Sequence, residues 1–152
     1  MGQTGARRDP SLIAFFRVDL DGMKGDGGSS FSKCSGLKNE TEVFEYREGG
    51  ENELVHKLLG PTRASNIVLT QGHISDPALI NWRNEVAYAD GKPVKRRNGS
   101  IVALAADGTE VDRWDFVGAH PISWRVNDFD RESNDILTEV LELAVQKITH
   151  SR

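Results

Sequence analysis

Hydrophobic and polar residues alternate along several short stretches of the chain, and this period of two is typical of half-buried β-strands. In the first stretch, residues 13–20, Phe16, Val18 and Leu20 fall on one side and polar residues fall mainly on the other. Further strands are predicted in the same way over residues 31–37, 39–47 and 66–71. In residues 39–47 Glu and aromatic residues share one side, which predicts that the first half of that strand is exposed.

A helical period replaces the alternation after Asp76. Asp76 can accept hydrogen bonds from the free N–H groups of a first helical turn, and Pro77 suits the first helical position. Gly91 can end a helix in the left-handed conformation, and Pro93 prevents its continuation. The apolar residues of this segment share one helical face, and they are Leu79, Trp82, Val86 and Ala89. The pattern predicts one helix over about residues 77–90.

The second half of the chain is rich in β signals. Asp107-Gly108 is a two-residue hairpin signal between predicted strands at 100–106 and 109–117. Pro121 predicts an edge position or a bend in the strand that contains it. Residues 136–148 fit either a helical stripe or a strand, and the neighbouring β content favours a strand.

Together these elements predict a mainly β fold, an antiparallel β-sandwich or barrel of about seven or eight strands with one α-helix at about 77–90. Residues 40–65 are predicted to form an extended loop or hairpin arm. The 152 residues are expected to form one domain, because this length suffices for a real core. Residues 1–11 are expected to form a flexible N-terminal arm of that domain, because they contain Gly, polar residues and Pro10.

Composition narrows the classes of function. The net charge of −4 argues against general nucleic-acid binding, which requires a basic surface. The chain has no run of 18 apolar residues, so we expect no membrane anchor, and we expect the protein to be made in a cytoplasm. Cys34 is the one cysteine, which excludes an internal disulfide, and a buried small apolar side chain is its simplest interpretation.

Candidate catalytic and metal-binding groups do not converge in the sequence. The Asp residues at 19, 21 and 26 lie beside a Gly-rich loop, but position 30 is Ser where a calcium-binding EF-hand loop needs a bidentate Glu. The four histidines are not spaced as metal ligands, and no Gly-x-Ser-x-Gly motif is present. We therefore predict a protein without catalytic residues, cofactor or metal.

Two charged segments remain as candidate functional sites. The arm carries six Glu between Lys38 and Lys57, and the segment Lys92–Arg97 carries four cations in six residues. Each segment alone could be a solvated loop. The sharper hypothesis is that they are complementary surfaces of a self-assembling protein, in which case reversing Lys95, Arg96 and Arg97 to Glu weakens assembly of a folded monomer. The candidate assembly residues are Glu42, Glu45, Arg47, Glu48, Gly49, Gly50, Glu51, Asn52, Lys95, Arg96 and Arg97.

Short motifs follow one another in a specific order between residues 13 and 145. They are Phe16 with Val18, Ser35-Gly36-Leu37, Glu45-Tyr46-Arg47-Glu48-Gly49-Gly50, Gly60-Pro61, Ile67-Val68-Leu69-Thr70-Gln71-Gly72, Trp82-Arg83 in the predicted helix, Arg97-Asn98-Gly99-Ser100-Ile101-Val102, Trp114-Asp115-Phe116, His120-Pro121-Ile122-Ser123-Trp124 and Ser133-Asn134-Asp135-Ile136. This order resembles that of the tail-tube protein family, the inner-tube proteins of contractile phage tails and contractile injection systems.

The resemblance implies a non-enzymatic structural protein whose subunits form hexameric rings that stack into a rigid hollow tube. A contracting sheath drives such a tube through a target envelope, and the lumen carries protein or DNA cargo. The implied partners are further copies of the chain, the sheath protein, a baseplate hub or tube initiator, a tape-measure protein and a terminator. By the same resemblance, the arm around residues 48–52 contacts the adjacent ring, within a particle assembled in a bacterial cytoplasm. A tube initiator or terminating adaptor of the same fold is the alternative.

Overall fold

A computed structural model of the protein describes residues 12–23, 31–50, 53–72 and 77–151. In that part of the chain nine strands and one helix follow one another, and all strand pairings are antiparallel. The elements are β1 (Phe15–Leu20), β2 (Phe31–Ser35), β3 (Asn39–Tyr46), β4 (His56–Ala64), β5 (Ile67–Gln71), α1 (Pro77–Ala87), β6 (Arg97–Leu104), β7 (Glu110–Val126), β8 (Glu139–Ala144) and β9 (Lys147–Ser151). The mainly β fold with one helix is confirmed.

Seven strands form one sheet in the order β1-β6-β7-β8-β5-β2, with β9 also paired to β7. The 17-residue strand β7 joins two halves of this sheet, because its first part pairs with β6 and β9 and its last part pairs with β8. Buried side chains from both halves, including Val18, Ile101, Leu69 and Leu141, belong to one hydrophobic core. The two halves therefore pack face to face, as in a sandwich.

Strand β7 changes partner near Gly118, where the predicted bend is found. Gly118 has a φ of 66°, and the side chain of Gln146 fills the space beside it. The pairing with β6 ends at Ala119, and the register with β8 shifts between Pro121 and Ser123. Pro121 is fully buried at this bend, where its missing N–H group interrupts no pairing with β6.

The β6–β7 connection differs from the predicted two-residue turn. The N–H of Gly108 donates to the carbonyl of Ala105 at 3.0 Å, and the N–H of Ala105 donates to the carbonyl of Thr109 at 2.9 Å. Three residues, 106–108, therefore lie in the turn, and three-residue loops are among the next most common hairpin connections after two-residue loops. The hydroxyl and the N–H of Thr109 both donate to the Asp107 carboxylate, and these bonds lower the pKa of Asp107.

Helix α1 ends at Ala87, earlier than the sequence predicted. The N–H of Lys92 donates to the carbonyl of Ala89 at 2.8 Å, while Asp90 and Gly91 both have positive φ angles. Gly91 thus lies in a tight turn of its own after the helix, and Ala89 is outside the helix. The predicted apolar face is otherwise confirmed, because Leu79 and Trp82 are buried and Val86 packs against the core.

The ambiguous segment 136–148 contains strand structure, as the β content around it predicted. Glu139, Leu141 and Leu143 form the buried side of β8, and β9 follows after a two-residue break. Trp124 donates from Nε1 to a Glu139 carboxylate oxygen at 3.2 Å, so this buried acid has a hydrogen-bond donor. Because it has this donor, Glu139 can be buried in the sheet. Strand β8 can therefore include an acid at a buried position, although the acid interrupts the apolar pattern of the sequence.

Gly36 gives the first testable consequence of this packing. It has a φ of 88°, and a β-carbon at this position would overlap the backbone carbonyl of Asn66. We expect Gly36→Ala to lower the free energy of unfolding by about 2–4 kcal/mol, because left-handed backbone strain adds to a clash with a rigid group. Urea unfolding measures the change. Gly49→Ala is the matched control, since no atom lies within 4 Å of a β-carbon there, and an equal effect of both substitutions would contradict the prediction.

Candidate functional site

The predicted arm is a two-stranded hairpin, β3–β4, whose strands pair only with each other among the described strands. The sequence predicted β3 and an extended loop or hairpin arm over residues 40–65 without locating the return strand, and it placed only the first half of β3 in solvent. All eight residues of β3 are exposed, which corrects that expectation, and β4 is almost as open. A pleated hairpin that projects from the sheet has no layer of its own to cover either side, so alternation does not produce a buried face.

Both faces of the β3–β4 hairpin carry exposed apolar side chains. Val43 is opposite Leu59 on one face, and Phe44 is opposite Leu58 on the other. Phe44 is 56% exposed and Leu59 is 80% exposed. An isolated two-stranded hairpin is marginally stable in water, and contiguous exposed apolar side chains mark interaction sites. The hairpin therefore has the properties of a segment that another surface covers.

The base of the hairpin is fixed to the body of the protein. Asn39 donates from Nδ2 to the carbonyl of Ile148 in β9 at 3.3 Å, and the N–H of Ser65 donates to the carbonyl of Lys38 at 2.9 Å. The hydroxyl groups of Thr41 and Thr62 are 2.7 Å apart across the two strands. These bonds set the direction in which the hairpin leaves the sheet.

The acidic residues of the hairpin are partly matched by cations of the same hairpin. Glu40 forms a salt bridge with Lys38 at 2.7 Å, and Glu42 lies 3.4 Å from an Arg63 nitrogen. Glu45 is opposite Lys57 in the strand register. The remaining predicted residues near the tip are exposed, and they are Arg47, Glu48, Gly49 and Gly50. Glu51 and Asn52 lie outside the described residues.

The second predicted segment divides into two parts. Lys95 and Arg96 are exposed. Arg97 instead donates from Nη1 to the carbonyl of Asp21 at 2.9 Å, and its guanidinium lies 5.6 Å from the centre of the Trp82 ring. Trp82 in turn donates from Nε1 to the carbonyl of Lys95 at 3.1 Å. Arg97 therefore contributes to the fold of the subunit. Lys95 and Arg96 lie at its surface, where the buried indole fixes the backbone of Lys95.

One exposed element was missed by the sequence reasoning. Residues 127–138, the β7–β8 loop, expose Phe129 (84%) and Ile136 (80%). Asn127 closes the loop, since its N–H donates to the carbonyl of Thr138 and its Oδ1 accepts from the N–H of Thr138. Four acids within eight residues between two strand patterns were the available signal in the sequence, and they are Asp128, Asp130, Glu132 and Asp135.

A polar network covers one side of the β6–β7–β9 region. Asp115 accepts hydrogen bonds from Ser100 at 2.6 Å and from Ser151 at 2.5 Å, and these bonds lower its pKa. His150 lies 2.5 Å from an Asp112 oxygen and stacks on the Trp114 ring. The Ser151 hydroxyl donates to the Asp115 carboxylate and not to the His150 imidazole. Because Ser151 and His150 of β9 both bond to acids of β7, the network stabilises the position of β9.

Neither a metal cluster nor a membrane helix is found in the part of the chain that the structure describes. Within that part, no group of three His, Cys, Asp or Glu side chains is arranged to hold a metal ion. The same residues include no helix with the length and apolar character needed to cross a bilayer.

Cys34 packs against the hydrophobic core from β2, and burial raises the pKa of its thiol to about 11. Each pH unit below the pKa lowers the reactive thiolate fraction tenfold, so we expect folded Cys34 to react with iodoacetamide on the order of 100-fold more slowly at pH 8 than in the unfolded chain. Because the folded pKa is raised, the protection is complete below pH 9 and is lost as the pH rises through 11. Mass spectrometry with and without urea measures it, and equal rates would contradict the buried position.

Comparisons with known proteins address the whole chain. Residues 14–149 match the family model described as T4-like virus tail tube protein gp19. A search of curated protein sequences gave no match. A chain in the cryo-EM structure of the anti-feeding prophage baseplate matches with a TM-score of 0.81 and 25% identity, over 94% of this chain and 96% of that chain.

Two further cryo-EM structures contain similar chains. One is an extracellular contractile injection system, the PVC sheath–tube complex in the extended state, with a TM-score of 0.79, 25% identity and coverage of 95% and 93%. The other is the tube-terminating cap of the anti-feeding prophage, with a TM-score of 0.80, 26% identity and coverage of 99% of each chain. The match to the family model extends over most of the residues and over nearly every described element, and the chain belongs to the T4-like virus tail tube protein family.

Proposed function

We propose that the protein is the repeating subunit of a rigid hollow inner tube, built from stacked hexameric rings. The observation that carries this proposal is the β3–β4 hairpin, which is fixed at its base by Asn39 and exposes apolar side chains on both faces. A folded monomer gains nothing from such an arm, whereas an assembly buries it. The hairpin residues from Glu42 to Asn52 then contact a neighbouring subunit, and the exposed cations of the segment 92–97 form a second contact surface.

The ends of the seven-stranded sheet support the closure of subunits into rings. Within the described residues β1 pairs only with β6, and β2 pairs only with β5, so each presents one unpaired edge. Unpaired edges of this kind are templates for pairing with another chain. A head-to-tail contact between different surfaces of identical subunits closes into a ring when the rotation permits it, and six subunits then line one lumen.

The proposed mechanism is mechanical. A sheath protein surrounds the tube, its contraction drives the tube through a target envelope, and the lumen carries protein or DNA cargo. The similar chain from a sheath–tube complex supports the sheath as a partner. A baseplate hub or initiator and a tape-measure protein at one end, with a terminator at the other, complete the proposed set of partners. The particle is assembled in the bacterial cytoplasm. Its proposed action requires no metal or cofactor.

A tube initiator or tube-terminating adaptor is the second candidate. The similarity to a chain of the tube-terminating cap, at a TM-score of 0.80 and 99% coverage of each chain, supports this role. The chains from the baseplate and the sheath–tube complex score 0.81 and 0.79. Fold similarity is thus nearly the same for tube, base and cap, and the number of rings that stack separates the roles.

Electron microscopy of the purified protein tests the proposal. The repeating subunit is expected to form six-fold rings that stack into long hollow tubes at high concentration or on an added baseplate nucleus. Single rings or pairs of rings that do not extend even on a nucleus would assign the adaptor role. A protein that forms no ring under any of these conditions would contradict both roles.

A further inference from the structure

We propose that the acidic β7–β8 loop of one subunit docks into the basic pocket beside helix α1 of a second copy of this chain. This inference rests on the proposed assembly of identical subunits and assigns one of its contacts. It replaces the β3–β4 hairpin with the β7–β8 loop as the partner of Lys95 and Arg96.

The β7–β8 loop has a shape that is set by its own hydrogen bonds. Besides the closure by Asn127, the N–H of Glu132 donates to Asp130 at 2.9 Å, and Ser133 donates to Asp135 at 2.8 Å. Two large apolar side chains are nevertheless exposed in this ordered loop, Phe129 and Ile136. A preorganised loop with an exposed aromatic side chain loses little entropy on docking, which favours an interface role.

The basic pocket lies where the chain leaves α1. It has a volume of about 290 Å³, and a cavity of about 150 Å³ suffices for a benzene ring. Its walls are Tyr88, Pro93 and Val94 on the apolar side, with Lys92, Lys95 and the acidic Glu85 as charged members. The buried Trp82 holds the carbonyl of Lys95, so the pocket is a fixed part of the fold. It can accept one aromatic side chain beside two ammonium groups.

Charge decides between the two acidic candidates for this pocket. The β7–β8 loop has four acids and one Arg, a net charge of −3 in 12 residues. The hairpin segment 38–65 has six Glu and four Lys or Arg, a net charge of −2 in 28 residues, and two of its acids already pair with its own cations. Within the described residues Lys92, Lys95 and Arg96 form no salt bridge. The loop is therefore the denser and less neutralised complement.

The loop and the pocket belong to different places in the subunit. The loop follows the end of β7 that pairs with β8, whereas the segment 92–96 leads into Arg97, which is opposite Ala119 in the middle of β7. Two distinct patches that complement each other produce a head-to-tail contact between copies. Such a contact suits both closed rings and stacked rings.

Charge reversal with rescue tests the inference. Asp128 and Glu132 are chosen because their carboxylates form no hydrogen bond within the described part of the chain, so the loop keeps its shape. We expect Lys95→Glu with Arg96→Glu, and separately Asp128→Lys with Glu132→Lys, to weaken subunit association at least tenfold. The variant that combines all four substitutions is expected to restore subunit association to within threefold of that of the wild-type protein. Sedimentation and electron microscopy measure association, and circular dichroism checks folding.

The matched control combines Lys95→Glu and Arg96→Glu with Glu45→Lys and Glu48→Lys in the hairpin. Rescue of association by this hairpin combination would overturn the inference, and so would a failure of the combination with Asp128→Lys and Glu132→Lys to rescue it. In either case, tubes formed by the wild-type protein would still support the proposed function. As a second measurement, Phe129→Cys and Val94→Cys proteins are mixed under oxidising conditions. A disulfide-linked dimer that forms in the mixture and is absent from either variant alone is expected, and its absence overturns the contact. A wild-type protein that never assembles overturns both proposals.

Discussion

Replacing four exposed apolar residues that face one another across the hairpin by serine is expected to abolish assembly and to leave the subunit folded. The variant carries Val43→Ser, Phe44→Ser, Leu58→Ser and Leu59→Ser. Full burial of one such side chain contributes about 1.5–3 kcal/mol, so two that become buried at an interface contribute at least about 3 kcal/mol, roughly a 100-fold effect on association per contact. In the proposed tube every subunit would make this contact, which multiplies the loss.

The same substitutions should change the unfolding of the monomer little. None of the four residues belongs to the hydrophobic core, and the hydrogen bonds that the described residues show between the hairpin and the body lie near its base. Analytical ultracentrifugation reports association, and thermal unfolding reports the monomer. Thr41→Ser with Thr62→Ser is the control, because it alters the same strands and keeps the hydroxyl pair. Tubes of normal length from the fourfold variant would show that the hairpin is not an assembly surface.

Trp82→Ala is expected to have the largest effect on the stability of the subunit. Trp82 is 1% exposed, and it links α1 to the core, to the carbonyl of Lys95 and to the guanidinium of Arg97. Deletion of a buried aromatic side chain costs about 3–5 kcal/mol. Domains of this kind have a total stability of about 5–15 kcal/mol, so the variant should unfold at a much lower urea concentration.

The carbonyl of Lys95 also loses its donor in this variant, so the pocket beside α1 should lose its fixed shape. Trp82→Phe separates the two effects, because it keeps most of the apolar volume and removes the N–H group. Tyr88→Ala is the control for the helix end, since Tyr88 is exposed and should change the free energy of unfolding by less than about 0.5 kcal/mol. A comparable loss in both alanine variants would contradict the central role of Trp82.

Much of the fold could be predicted from the sequence, because local patterns carry the information. The alternation around Val18 and Leu69 identified β1 and β5, and the apolar period of Leu79 and Trp82 identified α1. Strand β4 was not located within the predicted arm because Gly60-Pro61 normally argues against a strand, yet Gly60 provides the space in which the Phe44 ring lies. A proline is tolerated there because this two-stranded hairpin consists of edge strands.

The candidate site could be predicted only in part from the sequence. The sequence located the hairpin and the basic segment from their charge, but charge alone does not distinguish Arg97, whose guanidinium is used inside the subunit, from Lys95 and Arg96 at the surface. It also drew attention to the Glu-rich hairpin and away from the β7–β8 loop. The salt bridges of Glu40 and Glu42 and the exposure of Phe129 are properties of the folded chain, and they favour the loop over the hairpin as the proposed partner of Lys95 and Arg96.

The sequence by itself determined the class of fold, the order of its main elements and the absence of a net basic charge. The order of its motifs also indicated the tail-tube protein family. These follow from local periodicity, turn chemistry and composition, which act over a few residues at a time. Only the tertiary structure decided which exposed side chains are available to a partner. That outcome depends on contacts between residues far apart in the chain, such as Trp82 with Arg97 and Asn39 with Ile148, and no local pattern encodes them.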